Sequence, residues 1–129
     1  MVKIAKGAWV IDVRPYNLQI AVFTESHRAV EQLQNEGDYA SELDNTSAMS
    51  CFINDERGCY LWAYMPDGIE DRTVVHEAVH LAGMVFRMIG ARYDAENDET
   101  FAYLVDNIYQ QLCVAMSKPK HNGKPKMID

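Results

Sequence analysis

The chain has 129 residues and a mass of 14.7 kDa, enough for one domain with its own hydrophobic core. Hydrophobic residues make up 48% of it, which excludes wholesale disorder. The net charge of −7 argues against nucleic acid or an anionic membrane surface as the main partner, and no apolar run approaches the ~20 residues that a membrane span requires. Residues 1–7 lack the features of a signal peptide, so a cytoplasmic location is expected.

Four β-rich runs are predicted in the first half of the chain, at Ala8–Val13, Asn17–Thr24, Ala48–Ile53 and Cys59–Met65. Arg14-Pro15-Tyr16 separates the first two runs and is expected to interrupt their pairing. The last two runs flank a turn-rich segment and are typical of a β-hairpin.

A short helix is predicted between the second and third strands. Ser26 can cap it, it runs through residues 27–33, and it ends near Gly37. Its apolar positions are few, so it is expected to lie on one face of a sheet. Residues 38–47 are polar and are expected to form a loop.

A longer helix is predicted from about Ile69 to Ile89, ending at Gly90. Apolar residues on most of its sides indicate a central, buried helix. Its predicted core stripe consists of Val75, Val79, Ala82, Phe86 and Ile89. His76, His80, Gly83 and Arg87 form the neighbouring stripe.

The last helix is predicted to begin after Asp94 or Asn97, either of which can cap it, and to run to about Met116. Its core stripe consists of Phe101, Val105, Ile108 and Leu112, and a second face carries Glu99, Tyr103, Asp106 and Gln110. Residues 118–129 are rich in lysine and proline and are expected to form a disordered basic tail.

The segment His76-Glu77-Ala78-Val79-His80 carries the chemistry. Two histidines four residues apart lie on the same face of an α-helix, so both imidazoles can reach one zinc ion. The glutamate beside them can act on a metal-bound water. Unpaired polar groups inside an apolar helix are costly, so the spacing predicts a zinc site rather than a coincidence.

A zinc peptidase needs a third protein ligand. Gly83 fits the longer pattern H-E-x-x-H-x-x-G-x-x-H, but Phe86 stands where that pattern has its third histidine and cannot bind zinc. Glu99 on the next helix is the preferred candidate, because the connecting segment is long enough to bring it back to the histidines. Gly83 would let that helix approach closely, and plain helix packing explains this glycine as well.

The motif, followed by the run Asn97-Asp98-Glu99-Thr100-Phe101-Ala102-Tyr103-Leu104, resembles the zincin metallopeptidases of the gluzincin type. It looks most like the minimal zincin-like proteins that phages and prophages encode. The resemblance is specific over Thr73–Ile108. It implies an α+β fold over residues 1–117: a small twisted, mostly antiparallel sheet with a backing helix, then an active-site helix and a glutamate helix. The strand Cys59–Met65 would be the edge strand that binds an extended peptide.

In such a peptidase His76, His80 and Glu99 would hold Zn²⁺, which polarises the scissile carbonyl and lowers the pKa of its water. Glu77 would take the proton from that water and pass it to the leaving amine. The implied partner is a peptide or protein substrate. The alternative is a catalytically silent zinc-binding module that acts as an interaction or regulatory protein.

Other residues are candidates for supporting roles in the same chemistry. Tyr103 could donate to the oxyanion or simply pack between helices, and Tyr64 and Arg87 are weaker candidates for the donor. Asp106 could orient a ligand histidine or be a surface carboxylate.

Overall fold

A computed structural model describes residues 8–25, 48–55 and 58–116 and the strand Lys126–Met127, with backbone only at 53–55, 58–60 and 126–127. Its strands are β1 (Trp9–Val13), β2 (Leu18–Phe23), β3 (Met49–Asp55), β4 (Gly58–Tyr64) and β5 (Lys126–Met127). Its helices are α1 (Asp71–Ile89) and α2 (Asp98–Met116). The fold is α+β, a small mixed sheet with helices, as the sequence predicts.

The strand order is β3-β4-β2-β1-β5, and every neighbouring pair is antiparallel except β2 and β4. The mostly antiparallel sheet is therefore confirmed. β4 lies inside the sheet because β2 pairs with one side of it and β3 with the other. The prediction that the strand ending at Met65 is the edge strand is therefore wrong. Among the described strands, β3 is the edge strand nearest in sequence to α1.

β1 and β2 form a hairpin in which Val13 lies opposite Leu18. The prediction that residues 14–16 interrupt the pairing is wrong, because Pro15 lies in the turn, where its missing N–H removes no ladder hydrogen bond. The backbone N–H of Tyr16 donates to the Val13 carbonyl at 3.1 Å. Asn17 adopts a φ of +53°, a left-handed conformation that asparagine tolerates.

β5 pairs antiparallel with the start of β1, with Met127 opposite Trp9. Residues 126–127 of the predicted basic tail thus form a strand, and the disorder of residues 118–129 stays a prediction. Strand pairing uses backbone groups that nearly every residue carries, so a polar sequence does not prevent it. The predicted helix over residues 27–33 lies outside the described part of the chain.

The two helices pack on one face of the sheet. Alternate residues of β2 and β4 point to that face, as the side-chain period of two requires. They join buried residues of both helices in one core cluster. The strand members include Ile20, Val22, Leu61 and Ala63. The helix members include Ala78, Leu81, Val85, Ile108 and Leu112. The residues of opposite parity, Ala21, Phe23, Trp62 and Tyr64, are buried as well. Within the described ranges, no helix has the length and apolar character to cross a membrane.

α1 buries a different stripe from the predicted one. Val74, Ala78 and Leu81 are at most 1% exposed, whereas Val75 and Val79 are each 42% exposed. The sheet covers one side of the helix, so α1 is amphipathic and the prediction of a centrally buried helix is wrong. Of the predicted stripe, Ala82 and Phe86 are buried and Ile89 is exposed. In α2, the predicted Ile108 and Leu112 are buried, while Phe101 and Val105 are half-buried.

The predicted ends of the helices are confirmed. α1 ends at Gly90, whose φ of 75° is left-handed. α2 begins directly after Asn97, whose carbonyl accepts the N–H of Phe101 at 3.1 Å. The Asp94 carboxylate caps the turn before it by accepting the backbone N–H groups of Glu96 and Asn97 at 2.9 and 3.1 Å.

Candidate metal centre

The histidine pair of α1 has the geometry of two ligands to one ion. The Nε2 atoms of His76 and His80 are 3.0 Å apart, and the two rings are nearly perpendicular at 77°. Two nitrogens bound to one tetrahedral zinc at about 2.05 Å would be about 3.3 Å apart. One turn of helix therefore brings both imidazoles to a single ion with little adjustment.

Glu77 lies on the inner side of the pair and is 7% exposed. Its Oε2 is 3.9 Å from Nε2 of His76, and its Oε1 accepts a hydrogen bond from the Ser50 hydroxyl at 3.0 Å. A buried carboxylate is unfavourable unless a positive charge compensates it, and the Ser50 hydroxyl is neutral. A cation held by the histidines would supply that charge, so the donor set fits a metal ion.

One donor atom each from His76, Glu77 and His80 lies within 4.8 Å of the other two. This group could hold a metal ion, and it is the one such group of His, Cys, Asp and Glu in the described ranges. The prediction that this motif can hold a metal ion is therefore confirmed.

The surroundings of the pair differ from those that the sequence predicts. The His76 side chain is 67% exposed, and His80 is exposed as well. The pair lies on the solvent-facing part of α1 that adjoins β3, rather than inside an apolar helix. Both imidazoles are therefore accessible from solvent.

A cleft of about 590 Å³ opens beside His80. Phe52 of β3, the second half of α1 and the segment between the helices form its walls. Its lining is mostly apolar and includes Val79, Met84, Phe86, Tyr93 and Phe101; Arg87 is the one permanently charged residue among the described residues that line it. Gly83 also lines it, and a Cβ placed on Gly83 would meet nothing within 4 Å. The expectation that Gly83 permits a close helix approach is therefore wrong, since this glycine faces the open cleft.

An aromatic group forms one wall of that cleft. Phe101 contacts Phe86 and Tyr93 edge to face, with ring centroids 5.1 and 4.8 Å apart. The Tyr93 hydroxyl donates to Oδ1 of Asp98 at 2.9 Å. That hydrogen bond, together with the charge of Asp98, raises the pKa of Tyr93. The wall is thereby attached to the first turn of α2.

Glu99 lies in the first turn of α2, is exposed, and does not belong to the donor group. At about 100° per residue, its side chain points about 160° away from Phe101 and about 140° away from Leu104. Those two residues face the core, so Glu99 faces away from it. The structure does not bring Glu99 to the histidines, and its assignment as the third ligand stays a prediction.

Tyr103 and Asp106 share the outward face of Glu99. Tyr103 is 68% exposed, and both residues line a separate cleft with the β1–β2 turn at Arg14 and Tyr16. Both oxygens of Asp106 lie 3.2 Å from the side-chain nitrogen of Gln110, which donates to them. The structure does not bring either residue to the histidine pair. Of the weaker candidates, Arg87 lines the cleft beside His80, whereas Tyr64 lies on the sheet face away from the helices.

Ser50 and Phe52 are residues of the site that the sequence reasoning missed. They lie two positions apart on β3, opposite Ala63 and Leu61 of β4, and so point to the helix-facing side of the sheet. The available signal was the period of two in this strand. That period places alternate residues of β3 at the site only if β3 is known to adjoin α1, and this depends on the strand order.

Comparisons of this chain with known protein families, with characterised proteins and with solved structures found no match. The function is therefore inferred from the geometry of the residues themselves. The strongest geometric signal is the group of His76, Glu77 and His80.

Proposed function

We propose that this protein is a zinc-dependent metallopeptidase in which Glu77 is the general base. The observation that carries the proposal is a pair of imidazole nitrogens 3.0 Å apart beside a buried carboxylate on one helix. Imidazole is a preferred ligand of zinc, and two histidines at this spacing with an adjacent glutamate are a recurrent zinc peptidase motif. The resemblance of the segment His76–His80 to the zincin metallopeptidases supports the same activity.

Each residue of the group has a distinct task. Zinc held by His76, His80 and a third ligand would polarise the scissile carbonyl and lower the pKa of its bound water. Oε1 of Glu77 is engaged by Ser50, so Oε2, which faces His76, is the oxygen that accepts the proton of the attacking water. Glu77 then donates that proton to the amine as the C–N bond of the peptide breaks.

The substrate class follows from the position of β3. An edge strand can pair through its backbone with an extended peptide, and β3 is joined to α1 by the contact between Ser50 and Glu77. A peptide aligned along β3 would therefore pass the histidine pair. The apolar cleft between Phe52 and α1 would take a bulky apolar side chain of that peptide. This assignment replaces β4 by β3 as the strand that binds substrate.

A silent metal-binding module is the second candidate, and one observation favours it. Glu77 itself lies close enough to both histidines to belong to the group of possible ligands. If Glu77 binds the metal, no general base remains at the site, and the protein would bind zinc without turnover. It would then act as an interaction or regulatory protein.

A cleavage assay with a peptide library separates the two candidates. We expect the purified protein to contain about one zinc ion per chain and to cleave a subset of peptides. Glu77→Gln should keep the zinc and lose about 10²- to 10⁴-fold in kcat, the usual contribution of a general base. Glu96→Gln, in the exposed segment between the helices, is the matched control and should behave as the wild type. A Glu77→Gln protein with wild-type activity would disprove the base assignment. Zinc without cleavage by the wild type would favour the silent module.

A further inference from the structure

We propose that Ser50 determines whether Glu77 acts as a base or binds the metal. Its hydroxyl holds the Glu77 carboxylate just outside the coordination sphere of an ion at His76 and His80. The role of Glu77 as a base rests on the proposed function, whereas its exclusion from the metal does not.

The two oxygens of Glu77 have different surroundings. Oε1 is 3.0 Å from the Ser50 hydroxyl, and Oε2 is 3.9 Å from Nε2 of His76. Two ligand atoms of one tetrahedral zinc are about 3.3 Å apart, so Oε2 lies only about 0.6 Å beyond the spacing of a ligand. A small rotation of the carboxylate would remove that difference.

The glutamate side chain alone does not prevent such a rotation. The terminal torsion of glutamate is broad, so the carboxylate turns easily unless another group holds it. Among the described residues, the Ser50 hydroxyl is the one hydrogen-bond donor to the Glu77 carboxylate. The bond joins residues 27 positions apart in the sequence, and it therefore depends on how the edge strand packs against the helix.

Ser50 is itself held firmly in place. It pairs with Ala63 of β4, a fully buried residue of an interior strand. The sheet thus fixes the donor and α1 fixes the acceptor. The hydrogen bond between them can set the distance between the carboxylate and the histidines.

The consequence of removing the hydroxyl is specific. In Ser50→Ala, Oε1 of Glu77 would be buried without a partner, which is unfavourable for a carboxylate. A metal ion at the histidines can satisfy it. We therefore expect Glu77 to become a ligand, so that zinc binds more tightly while the base is lost.

The test compares wild type, Ser50→Ala and Ser50→Thr, with Thr73→Val as a matched removal of a nearby hydroxyl. Zinc affinity is measured by competition with a chromophoric chelator, and coordination by the visible absorption of the Co²⁺-substituted protein. Kinetic constants are measured on a cleaved peptide, and circular dichroism checks folding. Ser50→Ala should bind zinc about tenfold more tightly, show an altered Co²⁺ spectrum, and lose about 100-fold in kcat with KM within threefold. Ser50→Thr, which keeps the hydroxyl, and Thr73→Val should match the wild type.

Introducing Ser50→Ala into the Glu77→Gln variant shows whether Ser50 acts on the metal through Glu77. If Ser50 acts through Glu77, adding Ser50→Ala to Glu77→Gln should change neither the zinc affinity nor the Co²⁺ spectrum. A folded Ser50→Ala protein with unchanged or weaker zinc affinity and a wild-type spectrum would overturn the proposal. A wild type that cleaves no peptide would defeat the proposed function alone, because the affinity and the spectrum still test Ser50.

Discussion

α1 and α2 arrange their polar groups in opposite ways. α1 gathers His76, Glu77 and His80 on one turn beside an edge strand, and buries the carboxylate. α2 directs Glu99, Tyr103 and Asp106 to solvent, because the side chains that it buries lie on the other side of the helix. The first arrangement is fixed within a single helical turn. The second depends on how the two helices pack, and that packing is set by residues far apart in the sequence.

Removing an imidazole should have the largest effect on the site of α1. Binding of zinc to four-ligand sites is worth about 10–16 kcal/mol, or roughly 3 kcal/mol per ligand, so His80→Ala should weaken zinc binding about 100-fold or more. Chelator competition measures the change. Val75→Ala, on the exposed side of the same helix, should retain wild-type affinity. Equal affinities for His80→Ala and the wild type would place the metal elsewhere.

Structural features that depend on a few neighbouring residues are mostly predicted well from the sequence. The spacing of His76 and His80, the left-handed Gly90 and the start of α2 after Asn97 each depend on one or two turns of chain, and the structure confirms them. Apart from the hairpin turn at residues 14–16, the errors concern long-range packing. Which strand lies at the edge of the sheet depends on the parallel pairing of β2 with β4, and the partner of Glu77 depends on the packing of β3 against α1.

The buried stripe of α1 illustrates the same limit. Helical periodicity allows two adjacent apolar stripes, one through Val75 and Val79 and one through Val74, Ala78 and Leu81. Both contain good core residues, so the sequence alone does not choose between them. In the observed orientation the second stripe is buried, the two histidines stay at the surface, and Glu77 lies against Ser50.

Alanine substitutions in the two stripes test that choice. Leu81 is fully buried, so Leu81→Ala should lower the free energy of unfolding by about 2–5 kcal/mol. Val75 is 42% exposed, so Val75→Ala should change the free energy of unfolding by less than about 1 kcal/mol. Urea unfolding followed by circular dichroism measures both values. A larger loss for Val75→Ala than for Leu81→Ala would mean that α1 is rotated relative to the orientation described above.

The smallest effect is expected for Glu99, and it tests the contrast between the helices most directly. The resemblance to gluzincins predicts that Glu99→Ala loses its zinc. The exposed carboxylate, turned about 140° from the core-facing Leu104, instead predicts a change in zinc affinity of less than about twofold. We expect the second result, with Glu96→Ala as a neighbouring acidic control. A loss close to that of His80→Ala, without a matching loss in Glu96→Ala, would show that Glu99 binds the metal. The first turn of α2 would then have to lie against the histidine face of α1 when zinc is bound.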